Sequence, residues 1–308
     1  MPSVQTYPLG HLTALAQRQD GVVTRAQALA AGLRTHEARA LLARSEWLPL
    51  LRGTYLVESW RHGRELQRSW ARAAVLTAPG AVVAITAAAV LHGVQGVPRS
   101  RAVDVVVDRH LRPREHLVPH RSALEPSEVS DLDGLPVTSV ERTLADLVPR
   151  LGRLEALAVL DSALAVGLVG RDGLERAART AVSHRGYRAT QDLWALADGR
   201  AESPLESRVR LRCCDAGLRP DHLQLEVRDE HGHLLARADL AFDRPGDLTA
   251  RSLLLEADGR SVHDAPEALH RDRWRQNTLV ALGHPILRCT WADTLSRGAV
   301  PAMVRAAL

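Results

Sequence analysis

The sequence predicts a multidomain α+β or α/β protein. Its 308 residues are long enough for more than one hydrophobic core, and hydrophobic residues make up 45% of them. Helical and extended patterns alternate along the whole chain, which is typical of mixed folds. We expect four segments: a helical domain with a hairpin over 1–58, an α/β middle domain over 59–150, a helical connector over 151–200, and a mixed sheet flanked by helices over 201–308.

Composition narrows the classes of protein that this chain can belong to. No run approaches the roughly 18 to 20 apolar residues that a membrane span requires, and the first residues lack the basic-then-apolar pattern of a secretory signal. Three cysteines, two of them adjacent, give neither a disulfide framework nor a metal-binding CxxC. We therefore expect a cytoplasmic protein with reduced cysteines and no membrane partner.

The positive charge lies mainly at the N-terminal end. All 40 basic residues are arginine and the net charge is +4. Residues 1–100 contain 11 arginines and 5 acids, so this third carries +6 and the remainder about −2. Arginine binds phosphate oxygens with two donors, which is compatible with a nucleic-acid surface. An ordinary solvated surface fits the same charge distribution.

Three short helices are predicted near the N-terminus. Residues 9–19 place apolar side chains at helical spacing. Thr24 is the expected N-cap of a helix over 25–32, which ends at a glycine, and Thr35 is the expected N-cap of a helix over 36–44.

A hairpin is predicted directly after these helices. Residues 47–57 alternate between apolar and other side chains around Arg52 and Gly53. Two helices around a short turn, a basic third helix and a hairpin are the parts of a winged helix-turn-helix, in which the third helix enters the major groove of DNA. A small helical module that binds another protein has the same packing and stays an alternative.

This front half resembles the AbiEi-type antitoxins of type IV toxin–antitoxin systems. The resemblance rests on a tryptophan followed by RGxY in the hairpin, here Trp47, Arg52, Gly53 and Tyr55, and on the phrase TSxERTLxDL over 138–147. It implies DNA as a partner and a cognate toxin as a second one. Five side chains are the candidate DNA contacts: Arg34, His36, Arg39, Arg44 and Arg52.

Four acidic residues stand out in the last third of the chain. Glu206 begins a predicted helix, Asp239 lies in a mostly apolar strand, and Glu256 and Asp258 end another. A buried carboxylate costs several kcal/mol unless it is compensated, and Mg²⁺ prefers such oxygen ligands. Because side chains alternate along a strand, Glu256 and Asp258 should share one face. We predict a site for Mg²⁺ or Mn²⁺, with a plain Asp-Gly turn or an acidic patch paired with arginines as the alternatives.

The order of elements in this last third is that of the restriction-endonuclease fold. The pattern predicts a helix over 203–218, a hairpin over 223–242, a strand over 253–259, a helix over 266–283 and a strand over 284–291. Such nucleases usually carry an acid on the first helix, Asp on the second strand and Glu-x-Lys on the third.

Residues 200–295 resemble the Vsr-like (very short patch repair-like) endonuclease domains. The shared motifs are AESPLESxxR, ARADLAF, EADGxxxH and RDRxRQNxLxxxGxxxLRxTWxD. The resemblance implies that Asp239 and Glu256 bind the metal and that Glu206 holds a metal-bound water or orients a base. It implies that His263 acts as a general base or holds the scissile phosphate. Four side chains would contact phosphate: Arg271, Arg273, Arg275 and Arg288.

One position departs from that nuclease pattern. Asp258 stands where many such enzymes have lysine, and the chain contains no lysine. Asp258 would then be a ligand of a second metal, with Arg271 or His263 supplying positive charge. The expected function is Mg²⁺-dependent cleavage of DNA, in phage defence or toxin–antitoxin control. The alternative is a non-enzymatic antitoxin or autorepressor whose last domain is a degenerate nuclease fold that binds without cutting.

Overall fold

The computed structural model describes residues 6–57, 63–244, 251–259 and 276–308. These residues form mixed α/β structure with three separate sheets, which confirms the predicted class in its general form. The chain divides into two compact units, Met1–Leu147 with Arg179–His184, and Val148–Ala178 with Arg185–Leu308. Among the described residues, no helix combines the length and the apolar character needed to cross a bilayer. All three cysteines are free thiols.

The first unit begins with three helices and a small antiparallel sheet, as the sequence predicts. The three strands lie in the order β1-β3-β2. Gly53 has φ of 80° in the turn between β2 and β3, a backbone conformation that favours glycine. The elements are α1 (Thr6–Arg18), β1 (Val22–Thr24), α2 (Arg25–Ala30), α3 (Thr35–Ala43), β2 (Leu48–Pro49) and β3 (Thr54–Leu56).

The two short helices α2 and α3 begin differently. The Thr24 hydroxyl accepts the Gln27 N–H at 3.1 Å, and Gln27 Oε1 accepts the Thr24 N–H at 2.8 Å, so the predicted cap is confirmed as a capping box. The predicted cap at Thr35 is wrong, because Thr35 is already the first helical residue and Arg34 is the N-cap. There Glu37 Oε2 accepts the Arg34 N–H at 2.7 Å, and the N-cap side chain accepts no N–H from the helix.

The rest of the first unit is a five-stranded mixed sheet with helices. Its strand order is β6-β5-β4-β8-β7. The elements are α4 (Gly63–Thr77), β4 (Val82–Val83), α5 (Ile85–His92), β5 (Val103–Val107), β6 (Leu117–Arg121), β7 (Val129–Asp131), β8 (Pro136–Thr138) and α6 (Val140–Leu147).

The segments before and after residue 58 share one core. Leu50, Leu51 and Leu56 are buried in the same cluster as Ala74 of α4 and Val105 of β5. The cluster therefore joins the hairpin to the five-stranded sheet within one unit.

Helix α6 begins with a serine cap. The Ser139 hydroxyl accepts the Arg142 N–H at 3.3 Å, and Arg142 Nε donates to Asp146 Oδ2 at 2.8 Å. His184 Nε2 lies 2.8 Å from Asp146 Oδ1, which attaches the segment 179–184 to this unit. These contacts support a structural role for this motif.

The segment 151–200 is helical, as predicted, and its first helix packs against α11 of the second unit. Asp161 and Arg210 form a buried ion pair between these two helices, with 2.6 Å between Oδ2 and Nη2. The elements here are α7 (Arg153–Ala165), α8 (Arg171–Ala181), α9 (Tyr187–Thr190), α10 (Leu193–Leu196) and α11 (Pro204–Asp215).

The second unit contains a four-stranded sheet in the order β12-β11-β10-β9. Strands β9, β10 and β11 are antiparallel neighbours, and β12 is parallel to β11. Leu255 packs on the face that carries α11 and α13, and Leu254 on the face that carries α12. The elements are β9 (His222–Arg228), β10 (Leu234–Phe242), β11 (Leu253–Ala257), α12 (described over 276–281), β12 (Ile286–Cys289) and α13 (Ala299–Ala307).

Candidate functional site

A line of four polar side chains, the polar row, crosses the sheet of the second unit. It consists of Gln224 on β9, Asp239 on β10, Glu256 on β11 and Arg288 on β12. The antiparallel ladder of β10 with β9 places Asp239 opposite Gln224. The ladder of β10 with β11 pairs Leu240 with Leu255, and the next position along it has Asp239 opposite Glu256. Glu256 pairs directly with Arg288 in the parallel ladder. Sequence-distant residues therefore lie on adjacent strands at one level of the sheet.

Asp239 is fixed by the backbone of the neighbouring strand. Its Oδ2 accepts the N–H of Ala257 at 2.7 Å. Ala238 packs in the cluster on the α12 side, whereas Leu240 packs in the cluster on the α11 side. Residues two apart on a regular strand point to the same face, so the alternation is interrupted at Asp239.

The strand opposite is irregular at the same level. Gln224 has φ of 55°, which is uncommon for a residue with a side chain. Such outliers cluster at sites where function requires a particular side-chain direction. The irregularity of both strands therefore marks this level of the sheet as a candidate site.

Glu206 is joined to the polar row through Gln224. It lies in the first turn of α11, which Ser203 caps by accepting the Glu206 N–H at 3.2 Å. Glu206 is buried, and its Oε2 accepts the Glu202 N–H and a Gln224 Nε2 proton, both at 2.8 Å. Sequence reasoning missed Gln224. The available signal was a single amide between two leucines in a predicted strand.

Two of the predicted acids lie beside an arginine. Arg288 Nη2 is 3.3 Å from Glu256 Oε2, and Arg288 Nη1 is 3.5 Å from Asp258 Oδ2. Strand β11 ends at Ala257, so Asp258 lies just beyond it, and its N–H donates to the Cys289 carbonyl at 2.7 Å. Both carboxylates nevertheless reach the same guanidinium.

The described residues do not contain a group of three or more His, Cys, Asp or Glu side chains arranged to hold a metal. The metal site therefore stays a prediction carried by Asp239, Glu256 and Asp258. His263, Arg271, Arg273 and Arg275 lie outside the described residues.

The candidate DNA contacts of α3 lie at the protein surface. Arg34, His36 and Arg39 are exposed, and the latter two are three residues apart on one side of the helix. Arg34 Nη2 donates to Glu37 Oε1 at 2.6 Å. This bond, together with the one from the Arg34 backbone, lowers the pKa of Glu37 to about 2. Contact between Arg34 and a phosphate would thus compete with Glu37.

The other two candidates follow α3 in the chain. Arg44 follows the helix and pairs with Glu46 at 2.8 Å between Nε and Oε1, with both side chains exposed. Arg52 is exposed in the turn between β2 and β3. All five predicted contacts are accessible to a partner.

No family model matches this chain. It is 31% identical over 179 residues, or 58% of its length, to two uncharacterized proteins of Mycobacterium tuberculosis, MT2308 of strain CDC 1551 / Oshkosh and Rv2248 of strain ATCC 25618 / H37Rv. The match spans 62% of the length of each relative. A solved structure, that of the RV2827C protein from Mycobacterium tuberculosis, is similar over 64% of this chain and 83% of its own, with 17% identity and a TM-score of 0.37.

Proposed function

We propose that this chain is a DNA-binding protein whose second unit is a Mg²⁺-dependent DNA endonuclease. The observation that carries the proposal is the polar row, in which Asp239 and Glu256 occupy opposite positions on neighbouring strands. The ladder of β10 with β11 pairs Leu240 with Leu255, so Asp239 and Glu256 are the next residues along the two strands. Two carboxylates on adjacent strands can together bind one hard cation.

The order of elements around the polar row agrees with this proposal. Helix α11 precedes three antiparallel strands, and α12 precedes a strand parallel to the third. The restriction-endonuclease fold has this order, and the Vsr-like resemblance covers the same residues. We therefore assign Asp239 and Glu256 as metal ligands, with Asp258 as an additional one.

Each remaining residue of the site has a distinct task in this proposal. Gln224 donates a hydrogen bond to Glu206 and so holds strand β9 beside Asp239. Glu206 would also orient the water that attacks the phosphodiester. Arg288 supplies the positive charge that a lysine supplies in related folds, since it lies beside both Glu256 and Asp258. When bound, Mg²⁺ would polarise the phosphodiester and lower the pKa of the attacking water.

The first unit supplies binding to DNA. Helices α2 and α3 with the β2–β3 hairpin have the chain order of a winged helix-turn-helix, the arrangement in which α3 enters the major groove. His36 and Arg39 on α3 and Arg52 in the hairpin are exposed cations or hydrogen-bond donors. Phosphate contacts by such arginines would make the affinity fall as salt rises. The AbiEi-type resemblance favours the same assignment, with a cognate toxin as a further partner.

A second candidate is a non-enzymatic repressor or antitoxin whose second unit has the nuclease fold without its activity. The specific observation in its favour is that Arg288 stands beside Glu256 and Asp258 and offsets their charge. Carboxylates compensated in this way have less need of a metal ion. The two candidates differ in one measurable property, cleavage.

The test is incubation of the full-length protein with plasmid and with single-stranded DNA, in Mg²⁺ or in EDTA. Asp239→Asn and Glu256→Gln should each abolish cleavage, while Glu226→Gln, an exposed acid on the edge strand β9, should not. DNA binding by gel shift should persist in all three variants. Binding without cleavage by the wild type would select the second candidate, and cleavage that survives both site variants would rule out this site.

A further inference from the structure

A separate cavity in the second unit lies at the far end of α11 from Glu206. Its volume is about 540 Å³, and it is lined by the first turn of α7, the last turn of α11 and the turn before α13. Three arginines line it, Arg153, Arg212 and Arg297, together with Glu155 and Asp215. We call it the arginine cavity.

Arg212 is held in place while its terminal amino groups stay available. Its Nε donates to the Thr294 carbonyl at 2.8 Å, which fixes the guanidinium against the turn that precedes α13. Within the described part of the chain, neither terminal amino group of Arg212 has a hydrogen-bond partner. A guanidinium fixed through Nε presents its remaining donors in a set geometry, as recognition of a tetrahedral oxyanion requires.

The two carboxylates of the cavity are already engaged by other arginines. Glu155 Oε1 accepts a proton from Arg208 Nη1 at 2.7 Å, and Asp215 Oδ1 accepts one from Arg153 Nη2 at 2.7 Å. Among the residues that the structure describes, neither Arg212 nor Arg297 forms a hydrogen-bonded ion pair with a carboxylate, although Asp215 and Glu155 attract Arg212 electrostatically. Their charge therefore remains available to a ligand.

The electrostatic environment of Arg212 agrees with an excess of positive charge. Burial and repulsion from Arg208 and Arg297 lower the pKa of Arg212 by more than attraction to Asp215 and Glu155 raises it. An anion between Arg212 and Arg297 would relieve that repulsion.

The beginning of α7 does not itself provide the site. Glu155 folds back over it, such that a Cβ on Gly152 would lie 2.7 Å from Glu155 Oε2. A carboxylate thus lies at this helix end, so the arginines carry the binding of an anion.

We propose that the arginine cavity binds a phosphate group, held by Arg212 and Arg297. The group belongs to a free phosphate compound of nucleotide size or to the backbone of a nucleic acid. This proposal is independent of the endonuclease assignment, because none of its residues belongs to the polar row.

The experiment is calorimetric titration of the full-length protein with inorganic phosphate, at constant ionic strength set by chloride. We expect saturable binding, and a loss of affinity of about tenfold or more in Arg212→Gln and in Arg297→Gln. The control is Arg200→Gln, which removes the same charge from an exposed arginine of the same unit that pairs with Asp198. Arg297 is exposed, so its substitution leaves the fold intact even if Arg212→Gln does not.

Two further titrations identify the source of the phosphate. Affinity for adenosine monophosphate that falls in Arg297→Gln, with affinity for a short single-stranded oligonucleotide unchanged, would indicate a free ligand. A parallel fall for the oligonucleotide would indicate a nucleic-acid backbone. Absence of phosphate binding by the wild type, or full affinity in both Arg212→Gln and Arg297→Gln, would overturn the proposal.

Discussion

Arg288 Nη2 lies 3.3 Å from Oε2 of Glu256, a carboxylate that is buried on the neighbouring parallel strand. The pairing brings a cation to a level of the sheet where burial would otherwise penalise the acid. Arg288 therefore stabilises the charge of Glu256 within its own unit, in addition to the contact with phosphate that the sequence predicts.

We predict that Arg288→Ala lowers the free energy of unfolding by about 1–3 kcal/mol, because Glu256 loses a neighbouring cation at a buried position. Urea denaturation measures this change. Arg228→Ala is the matched control, since Arg228 pairs with Glu226 where both side chains are about half exposed, and it should cost less than about 0.5 kcal/mol. If both variants lose the same free energy of unfolding, the buried Arg288–Glu256 pair stabilises the fold no more than an exposed ion pair does.

Thr24 and Thr35 are predicted to differ in their contribution to stability. Thr24→Ala removes a capping hydroxyl and should cost about 1 kcal/mol. Thr35→Ala removes an exposed side chain from the first helical position and should cost a few tenths of a kcal/mol at most. Thermal or urea unfolding of the two variants tests whether only Thr24 is an N-cap, as in the structure, or whether Thr35 is one as well, as the sequence predicts. A larger cost at Thr35 would contradict the structure.

Alkaline pH is predicted to destabilise the second unit through its buried thiols. Burial raises the pKa of Cys213 from 9.0 to about 12 and that of Cys289 from 9.0 to about 11. An acid whose pKa is raised by folding contributes its full stability below the unfolded pKa and loses it as the pH rises. The free energy of unfolding should therefore fall above pH of about 9, by up to about 1.4 kcal/mol per pH unit for each thiol.

Urea titrations between neutral and alkaline pH measure this slope. Cys213→Ala has a packing cost at every pH but should show a shallower decline. The chain has 3 tyrosines and no lysine, so few other groups titrate in the same range. A slope that is unchanged by Cys213→Ala would contradict the prediction.

Gly186 is predicted to be intolerant of any side chain. Its φ is 97°, and a Cβ there would lie 2.1 Å from the Pro149 carbonyl oxygen, which is a backbone atom. Gly186→Ala should therefore cost several kcal/mol, on the order of 3, in the free energy of unfolding. Gly170→Ala is the control, because nothing lies within 4 Å of a Cβ there. A Gly186→Ala variant as stable as Gly170→Ala would contradict the backbone path at this position.

Local patterns predicted much of the second unit. The hairpin of β9 and β10 and the strand that presents Glu256 follow from alternation and from residue preferences over a few positions. Such signals are short-range, and they correctly located Asp239 and Glu256 on separate strands.

The partners across the sheet could not be predicted in the same way. Gln224 lies opposite Asp239, and Arg288 beside Glu256, only because four strands adopt one register, a property of long-range pairing. The Arg34–Glu37 arrangement at α3 was missed for a different reason. Thr35 is a preferred capping residue, but the helix begins one residue earlier than that preference predicts, and the Glu37 carboxylate accepts the N–H of the N-cap residue Arg34.

The most direct test of the central claim is a titration of the full-length protein with Mn²⁺, followed by calorimetry or by the loss of the free-ion electron paramagnetic resonance signal. The wild type should bind Mn²⁺ saturably, Asp239→Asn and Glu256→Gln should lose that binding, and Glu226→Gln should retain it. A wild-type protein that binds no Mn²⁺, or whose binding is unaffected by both site substitutions, would contradict the assignment of the polar row as a metal-dependent hydrolytic centre.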